Sequence, residues 1–431
     1  MSDAGVVRLA GAPRRAGWLD RALRQRVLDL LRGLPDCALL LREDGESISV
    51  AAPATHSPAT HSAATLRACV RIHDPAFYRR VALNGSVGAA EAYMDGLWDC
   101  DELVALVRML VRNRDRLDAM ERGPARLGGA IMRGWAALRR NTRAGSRRNI
   151  AAHYDLGNEF FRLFLDRNLM YSSALFADGE GEESLERAST RKLERICDKL
   201  QLSPATRVLE IGSGWGGFAL HAARQHGCHV TTATISHEQY QLARARVAAA
   251  GLADRVEVLL ADYRTLAGRY QRLVSIEMIE AIGHQYLDTY FRKVGELLTD
   301  DGMALVQAIT IEDHRYAQAL RSVDFIKRHV FPGSFIPSIS SMLAAMARVS
   351  DLKLFNLEDI GPSYALTLRA WRRRFLERRD EVRALGYPER FVRMWDFYLA
   401  YCEGGFIERA TGDVQMLLTR PAARRAQFVP L

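Results

Sequence analysis

No two of the six cysteines, at positions 37, 69, 100, 197, 228 and 402, stand in a C-x-x-C pair. Such scatter argues against a disulfide framework or a structural zinc, so no metal is expected and a reducing cytoplasm is the expected setting. No apolar run approaches the roughly 18 residues of a spanning helix. The opening stretch, M-S-D-A-G-V-V-R-L-A-G-A-P-R-R, lacks the apolar centre of a secretory leader. Negative charge is short as well: 51 Asp and Glu stand against 60 Lys and Arg, a net +9. That excess favours an acidic partner, nucleic acid or an anionic membrane surface, and composition does not choose between them. What remains is ordinary for a globular chain: 431 residues and 48% apolar content, enough for two or three domains with real cores.

The stretch that organises the rest is R-V-L-E-I-G-S-G-W-G-G, from Arg207 to Gly217. Val208, Leu209 and Ile211 read as a buried parallel strand that ends in a glycine turn, and Phe218 onward reads as a helix. In a strand–turn–helix unit the backbone can approach a nucleotide-like ligand. The spacing is G-x-G-x-G rather than G-x-G-x-x-G, and Glu210 sits at the strand end, suited to the cationic side of S-adenosylmethionine. A dinucleotide site is the alternative.

Before that motif, residues 1–18 are Gly-, Ala- and Arg-rich and read as a loose N-terminus. Asp20 to Leu34 spaces Leu23, Val27, Leu30 and Leu31 as a helix, which Gly33 and Pro35 stop. Cys37 to Val50 alternates about a Glu-Asp-Gly turn and reads as a hairpin. A doubled P-A-T-H-S at 53–62 is too short for a solenoid, so 51–64 is expected to be a flexible loop with solvated histidines. Strand and helix patterns resume over 65–114, with Val104, Val107 and Leu110 on one helical face. These elements define an accessory domain at 19–138. A linker at 139–150 follows, carrying Arg139, Arg140, Arg143, Arg147 and Arg148, either as a solvated tether or as a contact for lipid phosphates.

From 151 to 431 strand-like runs recur at 207–211, 228–234, 255–260, 272–277, 303–310, 353–358 and 413–419. Helical patterns separate most of them, and a long helical insertion at 364–410 precedes the last strand. The alternation predicts an α/β fold, a doubly wound, mostly parallel sheet with ligands at the strands' carboxyl ends. Gln239 is placed to reach a ribose, or it forms a capping box with Ser236. Asp262 and Tyr263 fall where an adenine would be met, or in a solvated loop. Glu277 and Glu280 lie among apolar neighbours, so each must be paired, with an arginine for example, or used. His284 reads as a helix-start residue.

Further motifs carry a resemblance. They are D-P-A-F-Y-R-R-V-A-L-N-G-S-V-G, E-A-Y-M-D-G-L-W-D-C-D, H-Y-D-L-G-N-E-F-F, L-M-Y-S-S-A-L-F, I-E-A-I-G-H, F-I-K-R-H-V-F-P-G-S-F-I-P-S and F-Y-L-A-Y-C-E-G-G-F. In this order they resemble the cyclopropane-fatty-acyl-phospholipid synthase family, from about Asp74 to the last strand. The resemblance implies a class I, Rossmann-like methyltransferase behind a smaller N-terminal α+β domain. It implies transfer of one carbon from S-adenosylmethionine to a cis double bond of a phospholipid acyl chain, through a carbocation. The enzyme would work at an anionic membrane surface from the cytoplasmic side, and a homodimer is what the family suggests.

The resemblance also assigns residues. Cofactor contacts fall on Tyr171, Ser172, Gly212, Ser213, Gly214, Thr234, Ile235, Ser236, Gln239, Asp262, Tyr263 and Ile276, beside Glu210. In the family a bicarbonate ion serves as base, held by a glutamate, a tyrosine, a cysteine and a histidine. Those positions are Glu280, Tyr398, Ser173 and Gln307 here, so two of the four depart, and Glu280 is the alternative base. Prompt proton loss gives a cyclopropane. A hydride shift first gives a methylene- or methyl-branched chain, usually finished by a reductase, and Gln307 looks more like the tuberculostearate- and furan-fatty-acid-type members. Phe160, Phe161, Phe331 and Phe335 are candidates for the acyl channel or plain core. The rivals are a nucleic-acid methyltransferase, against which no N-P-P-Y-type tetrad is found, and a non-catalytic lipid-binding homologue.

Overall fold

The computed structural model describes residues 18–32, 34–35, 37–51, 66–120, 156–177 and 183–426. The N-terminal stretch up to residue 17, nearly all of residues 51–64 and the arginine-rich stretch 139–150 lie outside the described residues.

Helix α1 (Trp18–Arg32) leads into the hairpin β1 (Cys37–Glu43) and β2 (Glu46–Ala51). Cys37, Leu39 and Leu41 point inward on β1. Asp44 and Gly45 both take positive φ, 49° and 84°, the twist that a two-residue hairpin turn requires. Strand β3 (Leu66–Ile72) pairs parallel with β1, helix α2 (Ala76–Met94) crosses over, and β4 (Trp98–Cys100) closes a four-stranded sheet of order β2-β1-β3-β4. Helices α3 (Leu103–Arg112) and α4 (Arg114–Met120) follow.

The larger sheet is built on the expected alternation. After α5 (Asn158–Arg162) and α6 (Leu185–Leu200) come β5 (Arg207–Ile211), α7 (Gly217–His226), β6 (His229–Thr234), α8 (His237–Ala249), β7 (Val256–Leu260) and β8 (Tyr270–Ile276). Then α9 (Leu287–Leu297), β9 (Leu298–Ile311), α10 (Asp313–Arg321), α11 (Ile339–Val349) and β10 (Lys353–Asp359) follow. The insertion resolves into α12 (Gly361–Glu377), α13 (Arg379–Ala384) and α14 (Glu389–Ile407), before β11 (Thr411–Thr419). Strand order is β10-β11-β9-β8-β5-β6-β7, and β11 alone runs against the rest. The chain leaves β5 toward β7 and returns to β8 on the other flank, which opens a crevice at the ends of β5 and β8. Helix α10 escaped the sequence reading for a physical reason: it buries no residue fully and only Tyr316 and Leu320 rest on the core, a short apolar stripe in a polar segment.

Helix α14 ties the two sheets together. It packs on α12 and also on α2 and α3. Arg393 lies 4.1 Å over the Tyr93 ring and pairs with Asp99 at 2.7 Å, while Tyr93 donates to Asp396 at 2.8 Å. Glu408, just beyond the helix, accepts from Arg108 at 2.6 Å and Arg112 at 2.7 Å. At the crossing with α3 there is no room for a side chain: a Cβ on Gly404 would fall 2.6 Å from Val107 Cγ1. One apolar core runs through this joint, from Leu39 and Val70 to Phe160, Trp371 and Trp395.

Candidate active site

A cavity of about 740 Å³ opens at the β5 and β8 strand ends and runs on to the small sheet, a size typical of ligand pockets. Leu39 and Leu41 of β1, Val70 of β3, and Leu103, Leu106 and Leu110 of α3 line its far part. Glu210, Gly212, Ser213 and Gly214 line the near part, with Thr234, Ile235, Gln239, Asp262, Tyr263 and Ile276. Tyr171, Ser172, Glu280 and Tyr398 complete it.

Why the backbone turns here follows from its glycines. Gly212 and Gly214 take positive φ, 96° and 48°, and Gly212 lets the chain pass Met278, whose Cγ a Cβ would meet at 3.1 Å. Gly217 opens α7 so close to Asn168 that a Cβ would lie 2.6 Å from its carbonyl oxygen. Glu210 is buried at the strand end and accepts from Thr232 Oγ1 at 2.6 Å. Burial pushes its carboxyl up to about 8, and a cation placed against it would favour the ionised form. The floor therefore suits a cationic ligand, and S-adenosylmethionine carries a sulfonium and an ammonium group.

The nucleoside side differs in detail from the sequence reading. Ser236 caps α8 by accepting from Gln239 N at 3.3 Å, yet it does not line the cavity. The capping box is not closed by Gln239: Ser236 N donates to Thr234 Oγ1, whose hydroxyl donates to Gln239 Oε1 at 2.9 Å. Among the described residues nothing occupies the Gln239 amide nitrogen, which is left for a ligand. Asp262 is not a solvated loop acid. It is buried and clamped by Arg264, whose Nε donates to Oδ1 at 2.8 Å and Nη2 to Oδ2 at 2.6 Å. Tyr263 is buried beside it, its hydroxyl without a hydrogen-bond partner.

At the β8 end the two glutamates take different surroundings, and neither pairs with an arginine. Glu280 gives one oxygen to Ile309 N at 2.6 Å, while Oε2 is buried with no partner. Burial, and then the charge of Glu277, pushes its carboxyl up to about 8. Glu277 sits at a positive φ of 48°, a strained backbone for a residue with a Cβ. Its Oε1 accepts from Ser173 N and from Gln307 Nε2, both at 2.8 Å, and its Oε2 accepts from Tyr364 OH at 2.7 Å. Burial raises this carboxyl too, opposed by those donors and by Lys192.

Two residues expected at the base site are therefore elsewhere. Ser173 turns its hydroxyl to Ala174 O at 2.8 Å, and Gln307 spends its amide on Glu277, Asp413 and Gln415. Neither lines the cavity. Glu277 takes the Ser173 backbone amide and the Gln307 amide nitrogen instead. Tyr398 does line the cavity, its hydroxyl 3.0 Å from that of Tyr171. Phe331 and Phe335 also line it, whereas Phe160 and Phe161 are fully buried in the aromatic core. His284 opens the short turn before α9, as read.

Sequence reasoning did not find Lys192, Asp413 or Tyr364. Lys192 is wholly buried and donates to Ser172 Oγ at 2.7 Å. Burial pulls its ammonium down, against the opposing charges of Glu277, Asp166, Asp413 and Glu210. Asp413 is pushed well up by burial and then by Glu277. A lysine in a helical apolar stripe was the available signal, since Lys192 shares the buried face of α6 with Leu185, Leu193 and Ile196.

Comparison with known proteins places these features. Residues 141–416 match the family model described as mycolic acid cyclopropane synthetase. The chain is 39% identical over 342 residues to the tuberculostearic acid methyltransferase of Mycobacterium tuberculosis, covering 78% of this chain and 79% of that protein. It is 35% identical over 379 residues to the cyclopropane-fatty-acyl-phospholipid synthase of Escherichia coli, covering 88% and 90%. Among solved structures, a cyclopropane synthase from Mycobacterium tuberculosis superposes with a TM-score of 0.59 at 28% identity, over 63% of this chain and 98% of that one. Coclaurine N-methyltransferase, bound to S-adenosylhomocysteine, shares the fold with a TM-score of 0.59 at 21% identity, over 77% and 99%. The architecture is that of class I S-adenosylmethionine-dependent methyltransferases.

Proposed function

Because the chain belongs to the mycolic acid cyclopropane synthetase family, we propose that it adds one carbon to the cis double bond of a phospholipid acyl chain and yields a methylene-branched product. It is a methyltransferase that uses S-adenosylmethionine on unsaturated lipid acyl chains. The observation that supports the branched reading is the placement of Glu277 on Ser173 N and Gln307, which engages two positions where the resemblance puts anion-holding residues. Likeness to the mycobacterial tuberculostearic acid methyltransferase supports it.

When bound, the cofactor supplies an electrophilic methyl group, held by Glu210, the Gly212–Gly214 turn, Gln239 and Tyr263. Once the alkene's electron pair has taken that carbon, the neighbouring carbon is a cation. A hydride shift moves the positive charge to the carbon that bears the new methyl. Glu280 Oε2 then accepts a proton from that methyl, and the C–H electron pair forms an exocyclic double bond. Ring closure is averted when the shift precedes proton loss. Faces of Tyr398, Tyr171 and Phe331 stand near one another and favour a cation over bulk apolar packing. On this reading Glu280, rather than a bound bicarbonate, is the base.

On this reading residues 19–138 hold the acyl chain, 151–431 carry the methyltransferase, and the net +9 charge draws the enzyme to anionic lipid. Among the described residues no helix is long and apolar enough to cross a membrane, which fits peripheral contact. A separate reductase would saturate the methylene. The test is mass spectrometry and NMR of acyl chains from cells that express the protein and receive a methyl-labelled donor. A labelled exocyclic methylene supports the proposal, a labelled ring methylene overturns the branched product, and no label in any acyl chain overturns the function.

A further inference from the structure

Away from the cavity, two helices of the methyltransferase fold bring together a set of donors that the reaction does not use. Glu194 and Cys197 lie one turn apart on α6, and His221 and His226 lie on α7. The Cys197 sulfur and one nitrogen of each imidazole all lie within 4.8 Å of one another. Glu194 bridges the pair: Oε2 is 2.8 Å from His221 Nε2, and Oε1 is 3.0 Å from His226 Nε2. Both rings thus turn the same nitrogen toward one carboxylate. The second approach is not a hydrogen bond in its geometry, and His226 Nε2 is buried without a hydrogen-bond partner.

We propose that Cys197, His221 and His226 form a binding site for a zinc-class divalent ion, with Glu194 orienting the two imidazoles. Two imidazole nitrogens and one thiolate, with the fourth position left to water, suit tetrahedral zinc, and neither magnesium nor calcium favours sulfur or nitrogen. Ligand atoms about 2.0–2.1 Å from a tetrahedral ion lie roughly 3.3 Å from each other, a spacing that the three donors, within 4.8 Å here, reach by small side-chain rotations. Binding takes the Cys197 proton to solvent and leaves the electron pair on sulfur for the metal. The ion's two positive charges are then matched by one thiolate and one carboxylate, so a neutral cluster sits on a largely buried floor. The pattern, E-x2-C-x23-H-x4-H, contains no C-x-x-C pair, which is why cysteine spacing pointed away from zinc.

Its place gives it a purpose. Helix α7 begins at the glycine turn and ends at His226, and α6 carries Lys192, which holds Ser172. An ion at this corner would pin together the two helices that support opposite sides of the cofactor site.

The test uses the full chain without an affinity tag, stripped with a chelator and titrated with Zn²⁺ or Co²⁺. One equivalent should bind per chain, Co²⁺ should develop a thiolate-to-metal charge-transfer band, and the midpoint of thermal unfolding should rise. Cys197→Ser should abolish the band, and Glu194→Gln, a change at a partly exposed side chain, should weaken affinity on the order of tenfold or more. Circular dichroism of Glu194→Gln without metal keeps a folding defect separate from lost ligation. Absence of stoichiometric binding, or binding that Cys197→Ser and Glu194→Gln leave unchanged, overturns the site. Metal content is read without any assay of methyl transfer, so it stands or falls apart from the proposed reaction.

Discussion

The two ends of the cavity are built from opposite materials. Its far part, from the small sheet and α3, is walled largely by leucine and valine; its near part, at the ends of β5 and β8, gathers buried acids around glycine turns. An apolar wall excludes water and accepts any hydrocarbon of fitting length, because dispersion and burial have no direction. A buried carboxylate acts at one atom and one distance. On the proposed reading the chemistry is fixed at the strand ends, while the double-bond position that reaches Glu280 is set by how much chain the far wall accommodates.

The sharpest way to break this division is Glu280→Gln. Removing the proton acceptor should lower kcat by roughly 10²–10⁴-fold, with the affinity for S-adenosylmethionine in calorimetry nearly unchanged. If turnover survives, the acceptor lies on another group. Next, Glu210→Gln should weaken cofactor binding by about 10- to 100-fold, the worth of a charge-assisted contact, while acyl binding to the far wall persists. Leu106→Phe on the apolar side should do the reverse, shifting preference among chain lengths by about tenfold at constant cofactor affinity. Ser173→Cys should change turnover least of all, because that side chain faces Ala174 O rather than the cavity; a large gain or loss in the labelled-donor assay would restore it to the site.

A pH series tests the acidic end separately. Glu210 and Glu280 rise from 4.5 to about 8 on folding, first because burial disfavours the charge. The folded state then holds more protons than the unfolded one between those values, so stability present below about 4.5 is lost as pH rises toward 8. On the proposed mechanism ionised Glu280 is the acceptor, so kcat/KM should climb as pH passes through about 8. A cationic cofactor favours the ionised acids, so its binding should release protons, measurable by calorimetry in buffers of different ionisation enthalpy. Binding with no proton release across pH 7–9 would mean the acids at the β5 and β8 ends do not sense its charge.

Much of the sheet could be read in advance because each strand and its following helix is a local pattern: Val208, Leu209 and Ile211 before Gly212 announce β5 without help from elsewhere. The near lining of the cavity was legible for the same reason, as Glu210, Gly212, Thr234, Asp262 and Ile276 follow the strand ends in order. Glu277 and Gln307 were not, because their partnership joins β8 to β9 across the sheet and spacing cannot show which acid takes which donor. Lys192 was hidden by its position in an amphipathic helix, where a lysine reads as a solvated residue until its tip is seen against Ser172.

The bare backbone of Gly404 against Val107 bears on how such a protein could be recombined. The N-terminal sheet is not a cassette that any relative's methyltransferase half would accept. A chimera must keep hollow and ridge in register: glycine at 404 where valine occupies 107, or a larger residue at 404 only with a smaller one opposite. Misfitted halves would part along α14 and α3, and the far wall would move away from the strand ends it is meant to continue.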